Sequence, residues 1–320
     1  MTLPTLLKTS ASTLARGAAG VAGGLALYFA LTGQPALAQE AAQPAAPPAI
    51  RGEGPALWVV KDADSTLYLF GTVHVLRPTI GWSSPRVEAA FDSADEVWFE
   101  ISDPDNQAAV MPLVQQYGLS PDKPLSSILT AEEMAELDAA ARTVGMSAAQ
   151  LDPMRPWLAG LTLSVAPLVK AGYDPQSGVE LVLKARAEAA GKPIKAFETI
   201  DKQIRILATM DEPVQLEFIR QTLEDFDDAV EMLDGMVDAW SRGDVAELDR
   251  VVVEDMKDTA PHVYQAILVD RNLDWANQIQ TLLQGSGTAF IAVGAAHLAG
   301  GDSVQALLAQ RGVDVARVAD

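Results

Sequence analysis

The chain has 320 residues, 49% of them hydrophobic, with 23 basic and 43 acidic side chains and a formal charge of -20. Such a composition can bury a substantial core and is not that of a disordered chain. The acidic balance argues against nucleic-acid binding through a basic face. Cys is absent, which excludes disulfides, thiolate catalysis and Cys-ligated zinc and leaves His and carboxylates as the strong metal ligands.

Lys8 and Arg16 are the only charges before Glu40, Gly17 to Leu31 is apolar, and Ala36-Leu37-Ala38 has the small-x-small pattern of a cleavage site. Residues 1–38 are therefore read as a signal peptide of an exported, periplasmic protein. The alternative is an uncleaved anchor, and the span is short and Gly-rich for a crossing of about 20 residues. Either way, the only membrane contact expected is through this segment. Residues 39–55, with Pro44, Pro47, Pro48 and Pro55, read as a solvated linker.

The fold is expected from residue 56 onward. Leu57 to Lys61 and Thr66 to Gly71 are strand-like and flank Asp62-Ala63-Asp64-Ser65, which predicts a β-hairpin. A short helix over Pro85 to Ala94 and a strand ending Trp98-Phe99-Glu100-Ile101 then give the pattern of a parallel crossover. Residues from about 104 to 283 read as a helical insertion, with a capping box at Thr130 and Glu133, a buried apolar run over Leu161 to Val169 and an amphipathic helix over Gly178 to Ala190. Within it, Ile194 to Phe197 is a short strand followed by Glu198, and the acids from Glu217 to Asp238 read as a solvated helical face. A strand over 288–293, a helix over 302–311 and a strand from Val313 to Val318 close the chain. The expected class is α/β, with a central mixed sheet built from the two ends of the chain and a helical middle section.

Two of the three His stand in matched contexts, Phe70-Gly71-Thr72-Val73-His74 and Val293-Gly294-Ala295-Ala296-His297. Residues just past the carboxyl ends of strands meet in the crevice where α/β sheets bind ligands. The third, His262, has no matching context and is read as structural or exposed. Glu100 lies at a strand end, where a charge is costly unless paired or coordinated. With His74 and His297 it makes a 2-His-1-carboxylate set for a divalent metal. Glu198 is read as a fourth ligand, a general base or a helix N-terminal acid, and Arg271 as a guanidinium for a developing oxyanion. No Gly-x-Ser-x-Gly elbow occurs, so water is the expected nucleophile.

At these residues the chain resembles the TraB/GumN family, related to the TIKI membrane-tethered proteases and more distantly to the ChaN/EreA-like fold. The resemblance rests on Leu67 to His74, the strand ending at Glu100, Phe197-Glu198-Thr199 with Gln203, Arg271-Asn272 with Trp275, and Val293 to Leu298. It implies that His74, Glu100 and His297 belong to the active site, with Arg271 nearby. It also implies divalent-metal-dependent hydrolysis (Mn, Co or Zn), with a peptide or other small substrate. Gly172 to Glu180 departs from the family's Gly-x-Asp segment, so Asp174 and Glu180 are left out of the expected site. The alternative reading is a non-catalytic periplasmic protein that holds a ligand or metal in the same crevice.

Overall fold

A computed structural model describes residue 50 and residues 52–103 and 106–319. The segment read as a signal peptide, and that read as a linker apart from residue 50 and residues 52–55, lie outside the described residues. Six strands form one mixed sheet in the order β4-β3-β5-β2-β1-β6: β1 (Leu57–Lys61), β2 (Ser65–Thr72), β3 (Glu96–Ile101), β4 (Ile194–Glu198), β5 (Gly287–Gly294) and β6 (Val315–Arg317). The expected hairpin is present. Asp62 Oδ1 accepts from the amides of Asp64 and Ser65, and Leu57 pairs with Phe70 in antiparallel register.

Strands β4, β3, β5 and β2 are mutually parallel, while β1 and β6 add an antiparallel edge. The crossover from β2 through α1 (Pro85–Ser93) to β3 is wider than the sequence pattern suggests. Its two strands do not pair; β5, from the far end of the chain, lies between them. This insertion puts both Gly-x-x-His segments on adjacent strands, offset by one residue: Gly71 pairs with Val293 and Thr72 with Gly294. The two ends of the chain thus supply five of the six strands, and the middle supplies β4 and most of the helices.

Alternating side chains of the sheet feed two cores. On one face Phe70, Phe290, Val97 and Phe99 pack with Val87 and Phe91 of α1 and a large helical layer. On the other, Leu67, Leu69, Ile291 and Phe197 pack with Trp275 and Ile279 and with Leu307 and Leu308. A third cluster draws on no strand of the sheet: Leu137 of α2 (Ala131–Thr143), Leu163 of α3 (Pro156–Lys170) and Ile219, with Leu125 and Leu151. The capping box at Thr130 and Glu133 starts α2 as expected, and α3 is buried almost all round because it is apolar all round.

Helix α4 (Val179–Ala189) precedes β4, and α5 (Ile200–Ala208) follows it. Next come α6 (Glu212–Glu224) and α7 (Ala229–Ser241), which carry the acid-rich stretch. That stretch is not solvated throughout. Asp225 is buried, and Asp234 accepts hydrogen bonds from Arg77 and from the Tyr173 hydroxyl. Two π-helical turns, Asp249–Glu254 and Gln265–Val269, precede α8 (Asp270–Leu282); α9 (Val304–Gln310) leads to β6. Among the described residues, no helix is long and apolar enough to cross a membrane.

Candidate active site

Because β2, β3, β4 and β5 are parallel, their carboxyl ends share one edge, and each brings a polar residue to it: His74, Glu100, Glu198 and His297. Helix α8 packs over that edge and inserts Arg271 and Asn272, both buried. The expected residues do come together. Their detailed partners differ from the expectation.

Arg271 is the hub. Its Nε donates to Glu198 Oε2 at 3.0 Å, and its Nη2 donates to Glu100 Oε2 at 2.7 Å and Glu198 Oε2 at 2.8 Å. Its Nη1 donates to the Ile267 carbonyl at 3.3 Å and meets His297 Nε2 at 3.1 Å. The π turn ending at Val269 carries that carbonyl, an example of a helix irregularity set beside a polar site. The guanidinium also lies 4.6 Å from the Trp275 ring centroid. Every N–H of Arg271 is thereby engaged, so none is left to steady a substrate oxyanion in this arrangement.

The two carboxylates are equally committed. Glu100 Oε1 accepts the Gly294 amide at 2.7 Å, and its Oε2 takes Arg271 and Gln203 Nε2, the latter at 3.0 Å. Burial raises the Glu100 pKa, and the Arg271 charge overrides it and holds the carboxyl well below its ordinary range. Glu198, whose side chain is fully buried, is clamped by Arg271 with Gln203 Nε2 at 3.3 Å and Lys202 Nζ at 3.5 Å. It is a carboxylate that holds an arginine, with no lone pair turned to solvent for taking a proton from water.

The histidines sit in opposite surroundings. His297 is buried, its Nδ1 donating to Asn272 Oδ1 at 2.6 Å while Nε2 accepts from Arg271. Burial and then the Arg271 charge push its pKa down to about 3, so it is neutral. His74 is partly open to solvent and donates from Nδ1 to Glu180 Oε1 at 2.9 Å. Burial works to lower its pKa, but the charge and hydrogen bond of Glu180, with Glu100 behind them, raise it to about 9. At neutral pH His74 is an imidazolium.

Glu180 is the residue the sequence reading leaves out. It reaches His74 because the chain after β2 pairs with the chain before α4: Val179 donates its amide to the Val73 carbonyl, and Leu76 and Asp174 exchange backbone hydrogen bonds. Its other oxygen, Oε2, is buried without a hydrogen-bond partner among the described residues. The available signal was a carboxylate in the first turn of the helix that the Gly172 to Gly178 segment leads into. Asn272 was visible only as a neighbour of Arg271, and it is the group that sets the His297 tautomer, with its own amide anchored on the Asp302 carbonyl at 2.8 Å. His262 is exposed, as expected.

The donor chemistry of His74, Glu100 and His297 would suit a divalent metal. A Cβ added at Gly294 would lie 3.1 Å from Glu100 Oε1 and 3.5 Å from both His74 Nε2 and His297 Cδ2, so the three side chains do converge. Each ring also has its Nδ1 held by an acceptor, the usual support for a metal-binding Nε2. The arrangement nevertheless does not fit the ion. Arg271 takes Glu100 Oε2 and the His297 Nε2 lone pair, and among the described residues no group of three or more such side chains is set to hold a metal.

Comparison with known proteins gives the same relationships from the sequence side. An uncharacterized protein of Treponema pallidum (strain Nichols) is 22% identical over 267 residues, covering 79% of this chain and 80% of the relative. The uncharacterized protein YbaP of Escherichia coli (strain K12) is 21% identical over 256 residues, covering 79% of this chain and 92% of its own length. No solved structure matches. The model of the TraB/PrgY/gumN family matches residues 56–317, the whole span from β1 to β6, and the chain belongs to that family.

Proposed function

We propose that the chain is an exported hydrolase, peptidase-like in substrate class, whose proton-transfer group is His74. The observation that carries this reading is the His74–Glu180 pair at the accessible edge of an otherwise buried charged cluster. Glu180 fixes the ring through Nδ1 and leaves Nε2 to a substrate or water. Glu100, Glu198, Arg271 and His297 then form the support: a locked network that fixes the floor of the site and adds negative potential beside His74. Peptides are the proposed substrates because of the resemblance to the TIKI proteases, and export follows from the apolar segment before Gln39.

In the forward direction Nε2 of neutral His74 takes a proton from the attacking water. The imidazolium then returns it to the leaving amine, so the ring ends as it began. Since the ring stays protonated to about pH 9, turnover without metal rises with pH through that value. A divalent metal (Mn, Co or Zn), when bound, would supply activated water at neutral pH. The convergence of His74, Glu100 and His297 favours that second reading, and the placement of Arg271 opposes it.

The test is hydrolysis of a peptide library and of an ester and amide panel by the mature chain, with and without chelator and with added Mn²⁺, Co²⁺ or Zn²⁺. Turnover should survive serine-directed inhibitors and fall by about 100-fold or more in His74→Ala, the scale of a lost general base. A protein that turns over nothing under any of these conditions, yet binds one of these peptides, esters or amides with an affinity lost in His74→Ala, would be a non-catalytic binding protein. N-terminal sequencing of the envelope fraction should begin at or near Gln39; full-length protein retained in washed membranes would replace export with anchoring.

A further inference from the structure

The geometry points to Arg271 as the resident cation of this centre: we infer that it competes with any divalent metal for Glu100 and His297. This goes beyond the proposed reaction and does not depend on it, because the readout is metal binding.

The inference rests on where each lone pair goes. A metal held by His74, Glu100 and His297 needs an oxygen of Glu100 and the Nε2 of His297. Glu100 Oε1 is taken by the Gly294 amide and Oε2 by Arg271 and Gln203, and the His297 Nε2 by Arg271. One guanidinium therefore touches two of the three expected ligands, and a divalent ion bound to both would sit against a fixed positive charge.

Arg271 is also held from behind. Glu198 accepts from both its Nε and its Nη2, the Ile267 carbonyl accepts from its Nη1, and the Trp275 ring covers its face. Moving it aside would break all of these contacts and leave Glu198, whose side chain has no solvent exposure, with only the longer Lys202 pair at 3.5 Å. Its planar fork suits this role in a way a lysine would not, because one head group reaches two carboxylates and an imidazole together.

The experiment titrates the full chain, purified without a His tag and freed of metal by chelator and dialysis, with MnCl2, CoCl2 and ZnCl2 by calorimetry. Elemental analysis of the untreated protein runs alongside. Two variants accompany the wild type: Arg271→Met, and Arg271→Met with Glu198→Gln, which removes the guanidinium together with one carboxylate so that the buried charge stays balanced. Folding is checked by circular dichroism. The wild type should bind these ions no more tightly than roughly millimolar. A folded variant should gain about 100-fold in affinity, the scale on which outer contacts tune metal sites, and lose that gain on further His297→Ala.

Stoichiometric metal in the untreated wild type, or micromolar binding abolished by His74→Ala and His297→Ala, would overturn the inference whether or not the variants fold. Unchanged or weaker affinity in a folded charge-balanced variant would overturn it as well, by showing Arg271 to be a supporter of a metal site and not its rival.

Discussion

His74 and His297 follow glycines at the same spacing, on adjacent parallel strands of one sheet, and they end in opposite charge states. His74 meets the carboxylate of Glu180 and holds a proton to about pH 9; His297 meets the amide of Asn272 and the guanidinium of Arg271 and stays neutral down to about pH 3. A repeated motif therefore fixes where an imidazole emerges and says little about what it does there. The partner groups decide, and they come from helices far away in sequence.

The largest break in this comparison is removal of the hub. Arg271→Ala strips the shared cation from the buried carboxylates of Glu100 and Glu198 together, leaving Glu198 only the longer Lys202 pair. Urea unfolding should show a loss of about 3–5 kcal/mol, the scale for breaking a buried ion pair from one side. His74→Ala, which removes a partly exposed side chain, should cost much less. Equal losses would mean that the buried cluster contributes no more to stability than its rim.

Much of this was legible in the sequence, and the limits have physical causes. Hairpin, strand and cap positions follow from local chemistry: the Asp62 turn, the alternation in β2, and the Thr130 and Glu133 box. Four of the five residues predicted for the site, His74, Glu100, Glu198 and His297, reach one edge because parallel strands must end on the same side, and Arg271 is brought to it by α8. What local pattern could not show is order in the third dimension. Nothing in residues 65–101 signals that β5 enters between β2 and β3. Glu180 becomes a partner of His74 only through backbone pairing of two loops, and Asp234 leaves an acidic helix face to bind Arg77 and Tyr173. Arg271 and Glu198, expected as oxyanion donor and base, stand in one cluster with His74, Glu100 and His297, but lone-pair counting shows that they are bound chiefly to each other.

The pH dependence of stability sharpens the contrast, since the two rings act with opposite sign. For His74 the folded pKa lies above the ordinary 6.5, so its contribution is present below 6.5 and is lost as pH rises through about 9. For His297 the folded pKa lies below 6.5, so the unfolded chain binds the extra proton and stability falls as pH drops from 6.5 toward 3. Glu180→Gln should bring the His74 pKa down by about 1–3 units, the effect of losing an opposite charge in contact, and flatten the alkaline side alone. Histidine-selective NMR titration with parallel denaturation curves would measure both; an unchanged His74 midpoint would remove Glu180 as the cause.

The converse change should make His297 resemble His74. Asn272→Asp puts a carboxylate against Nδ1, and the His297 pKa should rise by about 1–3 units while the proton on Nδ1 stays where it is. The shift should be smaller than the full difference between the two rings, because Arg271 still donates to Nε2 and opposes a second proton. A ring that stays neutral at pH 4 in this variant would show that burial, and not the choice of amide over acid, sets its state.

The smallest effects should come from the two motif glycines, and they too should differ. A Cβ at Gly71 would lie 3.0 Å from the Cα of Ala295, which is backbone of the neighbouring Gly-x-x-His segment and cannot move alone. Gly71→Ala should therefore cost about 1–3 kcal/mol as overpacking. A Cβ at Gly294 would meet Glu100 Oε1 at 3.1 Å, the end of a side chain that can shift by a few tenths of an ångström. The gain of about 0.5–1 kcal/mol from replacing Gly within a strand should offset most of that strain. Gly294→Ala should then leave the unfolding midpoint nearly unchanged, and yet alter the His74 titration, because the Glu100 carboxylate that helps hold its proton has been pushed aside. Equal destabilisation by the two substitutions would show that the carboxylate network is as rigid as the sheet beneath it.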